Sequence, residues 1–286
     1  IVKLNTLRVQ SHLKEIQDYI NYKCQRSDAS LLMLEASSII IIIGKEQINE
    51  IITYVKLNLV SRHMVFGIVE GIQKSTNYAE RRIQNLICSL AQNFIDIPDT
   101  ILITLFDSLA SLDEEDLKEF ILNPFFKDLA QNYKLLNNFN EMNMINDLVV
   151  KLLDIKNEKG ILHADCGMGS FLLKAAQEYK DTCFYGYSSN SRLADLAQVR
   201  AYIFDLNIQI DKKELFTISE QIFDNIYVTY PFNVKYDMDE MIPKLYWSSI
   251  AKNNLRIKRY SSNMLSCVFF LEQLSYNGKM IVLVPE

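Results

Sequence analysis

Two short stretches of this chain hold residue types at spacings that chemistry uses. The first is His163-Ala164-Asp165-Cys166-Gly167-Met168-Gly169-Ser170-Phe171-Leu172. Only 8 glycines occur in 286 residues, so Gly167 and Gly169, between an apolar run and a helical pattern, mark a place where the backbone turns tightly. Such a turn lets a ligand approach main-chain N–H groups at the start of a helix. A tight strand-to-helix turn that binds nothing is the alternative. The second stretch is Phe223-Asp224-Asn225-Ile226-Tyr227-Val228-Thr229-Tyr230-Pro231-Phe232. It reads as a strand ending in an aromatic–Pro–aromatic turn, and the carboxyl ends of parallel strands are where such sheets bind ligands.

Several chemistries are excluded by what surrounds these stretches. A nicotinamide dinucleotide site would carry a further glycine where Leu172 stands, and an acid where Tyr187-Ser188-Ser189 stand. No GKS or GKT phosphate loop occurs. The five cysteines, Cys24, Cys88, Cys166, Cys183 and Cys267, are odd in number and lack a CxxC. That argues against a disulfide framework and a zinc ribbon, so no metal site is expected and a reducing cytoplasm is the natural compartment. A net charge of -5 excludes a wholly basic nucleic-acid coat but leaves room for a local basic face. Lys252, Arg256, Lys258 and Arg259, with Tyr260 adjoining, form the densest basic stretch. It reads either as a solvated helix face or as a set of DNA phosphate contacts. Tyr246 and Trp247 read equally as packing or as base-stacking residues. His163, among apolar neighbours, reads as a packed core histidine, and His12 and His63 carry no functional reading.

The elements that position these residues fall into two halves. Up to about residue 138 the pattern is helical. Val9, Leu13, Ile16 and Ile20 recur on one helix face, and Ile48–Leu59, Ala79–Leu90, Thr100–Leu109 and Leu117–Ile121 follow the same period. Ser111 with Glu114 predicts a capping box for the last of these. The run Leu31–Ile43 is too short, and interrupted by Glu35, for the roughly 20 apolar residues of a membrane span. A buried helix or a strand end is expected there, with no membrane partner. The polar stretch Asn137-Asn138-Phe139-Asn140 suits a boundary, dividing the chain into 1–138 and 139–286. Beyond it strands at Ile161–Ala164, Cys183–Tyr187, Asn225–Val228 and Met280–Val284 alternate with helices at Phe171–Tyr179, Arg192–Phe204 and Asn263–Ser275. That alternation predicts an α/β fold with a doubly wound parallel sheet. The chain starts at Ile1 and stops at Glu286 after an apolar run, as expected of a sheet truncated at its C-terminal side.

The pair CGxGSFL, then FDxIxxxxPF, resembles the adenine-specific DNA methyltransferases, above all the modification subunit of type I restriction-modification systems. The first motif there reads roughly DPxCGSGxFL and the catalytic motif NPPF or NPPY after a strand. The ending Phe269–Glu286, FFLEQLSYNGKMIVLVPE, resembles the helix, turn and VLP strand that follow in that family. The resemblance spans about 140–286 by motif. It implies a helical N-terminal domain, a Rossmann-like sheet, S-adenosylmethionine as donor, DNA as substrate, and a specificity or restriction subunit as partner.

Laid on the family's motifs, the donor-binding positions are His163, Asp165, Gly167, Gly169, Ser188 and Glu214, and the catalytic positions are Thr229, Tyr230, Pro231 and Phe232. Cys166 falls where the family carries a packing cysteine. His163 stands where the family has its first acid, and Ser188 where an acid would hold the donor's ribose. Glu214 is placed near the adenine edge by spacing. Thr229 replaces the asparagine whose carbonyl orients the adenine amine, and it is shorter, with one hydroxyl in place of an amide. Phe232 keeps the family's base-stacking aromatic. The resemblance therefore implies a methyltransferase-like protein with a degenerate donor and catalytic site, serving as a DNA- or subunit-binding module. An active adenine methyltransferase with atypical motifs, and a sheet protein with another small ligand or none, stand as alternatives.

Overall fold

A computed structural model describes residues 2–26, 28–57, 64–74, 81–124, 143–155, 160–213, 221–229, 235–237, 259–261, 267 and 269–283. The chain divides into two compact units, one of residues 1–132 with 202–204 and one of 133–201 with 205–286.

In the first unit the described residues form helices α1 (Val2–Cys24), α2 (Ala29–Ile43), α3 (Lys45–Lys56), α4 (Met64–Lys74), α5 (Arg81–Gln92), α6 (Asp99–Ala110) and α7 (Glu114–Leu122). The apolar run at Leu31–Ile43 lies in α2, which is buried on every face from Ala29 to Ile40. Helices α1, α3, α5, α6 and α7 all pack against it, so its hydrophobicity serves a protein core. Three of its polar side chains are held internally: Asn93 Nδ2 donates to Glu35 Oε1 at 2.9 Å, Gln17 Nε2 to Ser30 Oγ at 2.7 Å, and Ser38 Oγ to the Leu34 carbonyl at 2.8 Å. Among the described residues no helix is long and apolar enough to cross a membrane. The helix face expected in α1 is the one that packs, with Leu13, Ile16 and Ile20 buried. The capping box expected from Ser111 and Glu114 does not form. Asp113 is the N-cap of α7, without a side-chain cap bond, while Ser111 still belongs to the end of α6 and its Oγ donates to the Ser108 carbonyl at 2.6 Å.

The second unit contains α8 (Asn143–Leu153), β1 (Ile161–Ala164), α9 (Ser170–Glu178), β2 (Phe184–Ser188), α10 (Ser191–Ile203), β3 (Ile208–Lys212), β4 (Phe223–Val228), β5 (Lys235–Asp237), β6 (Arg259–Ser261) and β7 (Leu274–Val282). Five strands form one sheet in the order β3-β2-β1-β4-β7, every pairing parallel, and β5 and β6 form a separate antiparallel pair. All four residues of β1 are buried, as a central parallel strand requires. One sheet face carries Leu162, Ala164, Tyr187, Ile226 and Val228 into a core with Phe269 and Phe270. Edge strand β3 buries Ile208 and Ile210 and exposes Gln209. The helix expected over Asn263–Ser275 ends early, because the chain enters β7 at Leu274 rather than Met280. As an edge strand β7 pairs only with β4 among the described residues, so Tyr276 and Asn277 extend it while facing solvent. Arg259 and Tyr260 lie in β6, so that end of the basic stretch is strand, not helix.

Candidate functional site

The site grows from the carboxyl end of β1, the middle strand of the sheet. The loop Asp165–Gly169 leaves it and enters α9, with positive φ at Asp165 (58°), Gly167 (54°) and Gly169 (81°). Gly169 has no substitute here. A Cβ on it would stand 3.1 Å from the Ala197 Cβ of α10 and 3.3 Å from Leu173 Cδ1, in a left-handed conformation. Under the loop, Cys166 is buried and packs against Gly186 of β2, where an added Cβ would meet its Sγ at 2.7 Å. Burial pushes the Cys166 thiol well up, which leaves it a packing group and no nucleophile. The Cys166 N–H donates to the Tyr187 carbonyl at 2.8 Å, tying the loop to β2. From α10, the fully buried Arg200 donates through Nη1 to the Met168 carbonyl at 2.6 Å and to Ser170 Oγ at 3.1 Å. Sequence reasoning missed Arg200. Its signal was a lone cation in the apolar helical run Leu193–Ile203.

His163, Asp165 and Thr229 come together across β1 and β4. The Thr229 N–H donates to the Ala164 carbonyl at 3.3 Å, extending the β1–β4 ladder by one residue. Thr229 Oγ1 donates to the Asp165 carbonyl at 3.1 Å, and His163 Nε2 lies 3.0 Å from the same Oγ1. A hydroxyl has one proton, so with that proton on Asp165 O the imidazole donates from Nε2. Its Nδ1 is then a bare acceptor, buried without a partner. The ring stacks on Tyr227 at 4.5 Å and 16° and meets Phe171 edge-on at 5.1 Å. This burial lowers the His163 pKa from 6.5 to about 3, keeping it neutral, and raises the Tyr227 hydroxyl to about 12. Asp165 is half-buried beside them, and desolvation lifts its carboxyl to about 7.

Ser188 ends β2, on the neighbouring strand. It is buried, and its Oγ donates to the Asn190 carbonyl at 3.3 Å. Asn190 Oδ1 in turn accepts the Leu193 N–H at 3.2 Å, capping α10. Lys213, just past β3, holds its Nζ 4.1 Å from the centre of the Tyr187 ring. Glu214, Tyr230, Pro231 and Phe232 lie outside the described residues, as do His63, Tyr246, Trp247, Lys252, Arg256 and Lys258. Among the described residues no group of three or more His, Cys, Asp or Glu side chains is arranged to hold a metal.

Comparison with known proteins adds to this geometry. The profile of a family described as N-6 DNA methylase matches residues 116–286. The fold is similar to the methyltransferase subunit of a type I restriction-modification system from Streptococcus thermophilus. That match has a TM-score of 0.62 and 14% identity over 98% of this chain and 75% of the other. It is also similar to a protein from Listeria monocytogenes assigned as a class I S-adenosylmethionine-dependent methyltransferase, with a TM-score of 0.54 and 14% identity over 91% of this chain and 75% of the other. No curated protein sequence matches the chain.

Proposed function

The chain belongs to the N-6 DNA methylase family, and from that premise we propose that it is a restriction-modification protein whose donor and catalytic sites have lost methyl transfer. It acts in the cytoplasm as a module that binds DNA or a specificity or restriction subunit. The observation that carries this reading is the inward bond of Thr229. Methylating adenine needs the base flipped out and its amine met by acceptors. At the place of the family's asparagine, Thr229 is 3% exposed and its hydroxyl proton lies on the protein's own Asp165 carbonyl. That hydroxyl is turned into the protein and away from a base.

The residues at the donor positions fit S-adenosylmethionine poorly. Its cationic methionine end calls for carboxylate, but His163 is neutral, fully buried and turned to Thr229. Its ribose hydroxyls call for an acid at the end of β2, where the buried Ser188 hydroxyl is bonded to the main chain. Each lost charged hydrogen-bond partner is worth roughly 1.5–3 kcal/mol, so two together weaken donor binding about 100-fold or more. The glycine loop, the buried Arg200 and the parallel sheet keep the frame of the fold. Titration calorimetry with S-adenosylmethionine tests the reading, with binding weaker than micromolar expected; a micromolar dissociation constant refutes it.

The second reading, an active enzyme with atypical motifs, is favoured by Asp165. This acid remains half-buried at the mouth of the glycine loop, where a donor's ammonium group could reach it. Transfer of tritiated methyl groups to DNA by the unaltered chain would establish that reading.

A further inference from the structure

We propose that His163 and Thr229 are a matched positioning pair, a buried latch that fixes the β1 loop to the β4 end and holds Asp165 in its left-handed backbone conformation. Asp165 has φ of 58°, a left-handed conformation uncommon outside glycine, although aspartate adopts it more readily than most residues. Thr229 holds it from two sides. Its N–H takes the Ala164 carbonyl and its hydroxyl takes the Asp165 carbonyl, at 3.3 and 3.1 Å. The hydroxyl then needs a donor for its own lone pair, and His163 Nε2 supplies one at 3.0 Å. The imidazole is set in that orientation by the stacked Tyr227 and the edge of Phe171. Strands β1 and β4 and helix α9 thus each contribute to one closed chain of contacts.

The two departures from the family pattern explain each other. An acid at 163 would carry a charge against the face of Tyr227 and would compete with Asp165 O for the Thr229 proton. An asparagine at 229 would drive a longer amide into the His163 ring. Either change alone breaks the latch. Only the consequence for adenine rests on the degenerate-site reading above; the latch itself does not.

The test is a double-mutant cycle in the full chain with Thr229→Val and His163→Phe, which keep shape and stacking, read by urea unfolding. Thr229→Val leaves the buried Nε2–H without an acceptor and is expected to raise the unfolding equilibrium constant about 10-fold or more. In the His163→Phe background that donor is gone, and the same change should cost about 5- to 10-fold less. Additive effects would overturn the pairing. A second measurement does not depend on stability: a ¹⁵N–¹H correlation spectrum of the unaltered chain should show His163 as the Nε2–H tautomer. The Nδ1–H tautomer there would overturn the proposal. Neither measurement involves the donor or methyl transfer, so the latch and the functional reading fail separately.

Discussion

Asp165→Asn should change how the stability of this protein depends on pH, in a direction that the site determines. Burial shifts two neighbouring groups, one at the end of β1 and one in the loop that follows, in opposite senses. Asp165 rises from 3.8 to about 7, and His163 falls from 6.5 to about 3. Between roughly pH 4 and 6.5 the folded Asp165 keeps a proton that the unfolded chain has released, so its contribution makes stability fall as pH rises. The folded His163 lacks a proton that the unfolded chain binds, so its contribution is present above pH 6.5 and is lost as pH falls toward 3. Each slope is at most about 1.4 kcal/mol per pH unit, and in the unaltered protein the two oppose each other. Asp165→Asn removes one of them. From pH 4.5 to 6.5 the variant should gain stability on the wild type by up to about 2.7 kcal/mol, reduced by solvent screening of a half-buried carboxyl to about 1–1.5 kcal/mol. His163→Gln should show the mirror image, losing stability against the wild type over the same range. Urea unfolding of all three proteins at pH 4.5, 5.5 and 6.5 reads this directly. A difference between Asp165→Asn and wild type that stays constant across these pH values would refute the reasoning, since Asp165 would then carry its ordinary pKa.

Other perturbations test the frame around the site. Gly186→Ala would push a methyl group to 2.7 Å from both Cys166 Sγ and Ile210 Cδ1, costing about 2–3 kcal/mol in denaturation. Adding Cys166→Ala should recover part of that loss. Arg200→Leu removes a charged donor from the Met168 carbonyl and Ser170 Oγ. It should cost about 1.5–3 kcal/mol and speed amide exchange at Met168 and Gly169 more than in β4. Thr229→Asn alone should not create methyl transfer to adenine, since the donor is still unheld at His163 and Ser188. The minimum set adds His163→Asp and Ser188→Asp, and tritiated methyl incorporation into DNA by the single variant would show that other residues bind the donor.

Much of the architecture is written locally and was legible. The helical period of α1, the β-branched and aromatic runs of β1 and β4, and the glycines at 167 and 169 each specify their own backbone over a few residues. The family resemblance rests on such local motifs, which is why it can be read from spacing alone. Two elements misled for the same reason. Ser111 looks like the cap of the next helix until it is seen to close the end of α6, and the start of β7 is set by its pairing with β4 rather than by its own period. The chemistry of the site is another matter. The sequence names His163 and Thr229 as departures but says nothing of where their polar atoms point. They lie 66 residues apart in the chain and 3.0 Å apart in space. Parallel pairing places His163 opposite Tyr227 and Ala164 opposite Val228, which brings Thr229 to the β1 loop. Burial between Tyr227 and Phe171 then keeps the imidazole neutral. A side chain's identity is local, but its charge and its hydrogen-bond partner depend on neighbours and on water exclusion that only the assembled sheet provides.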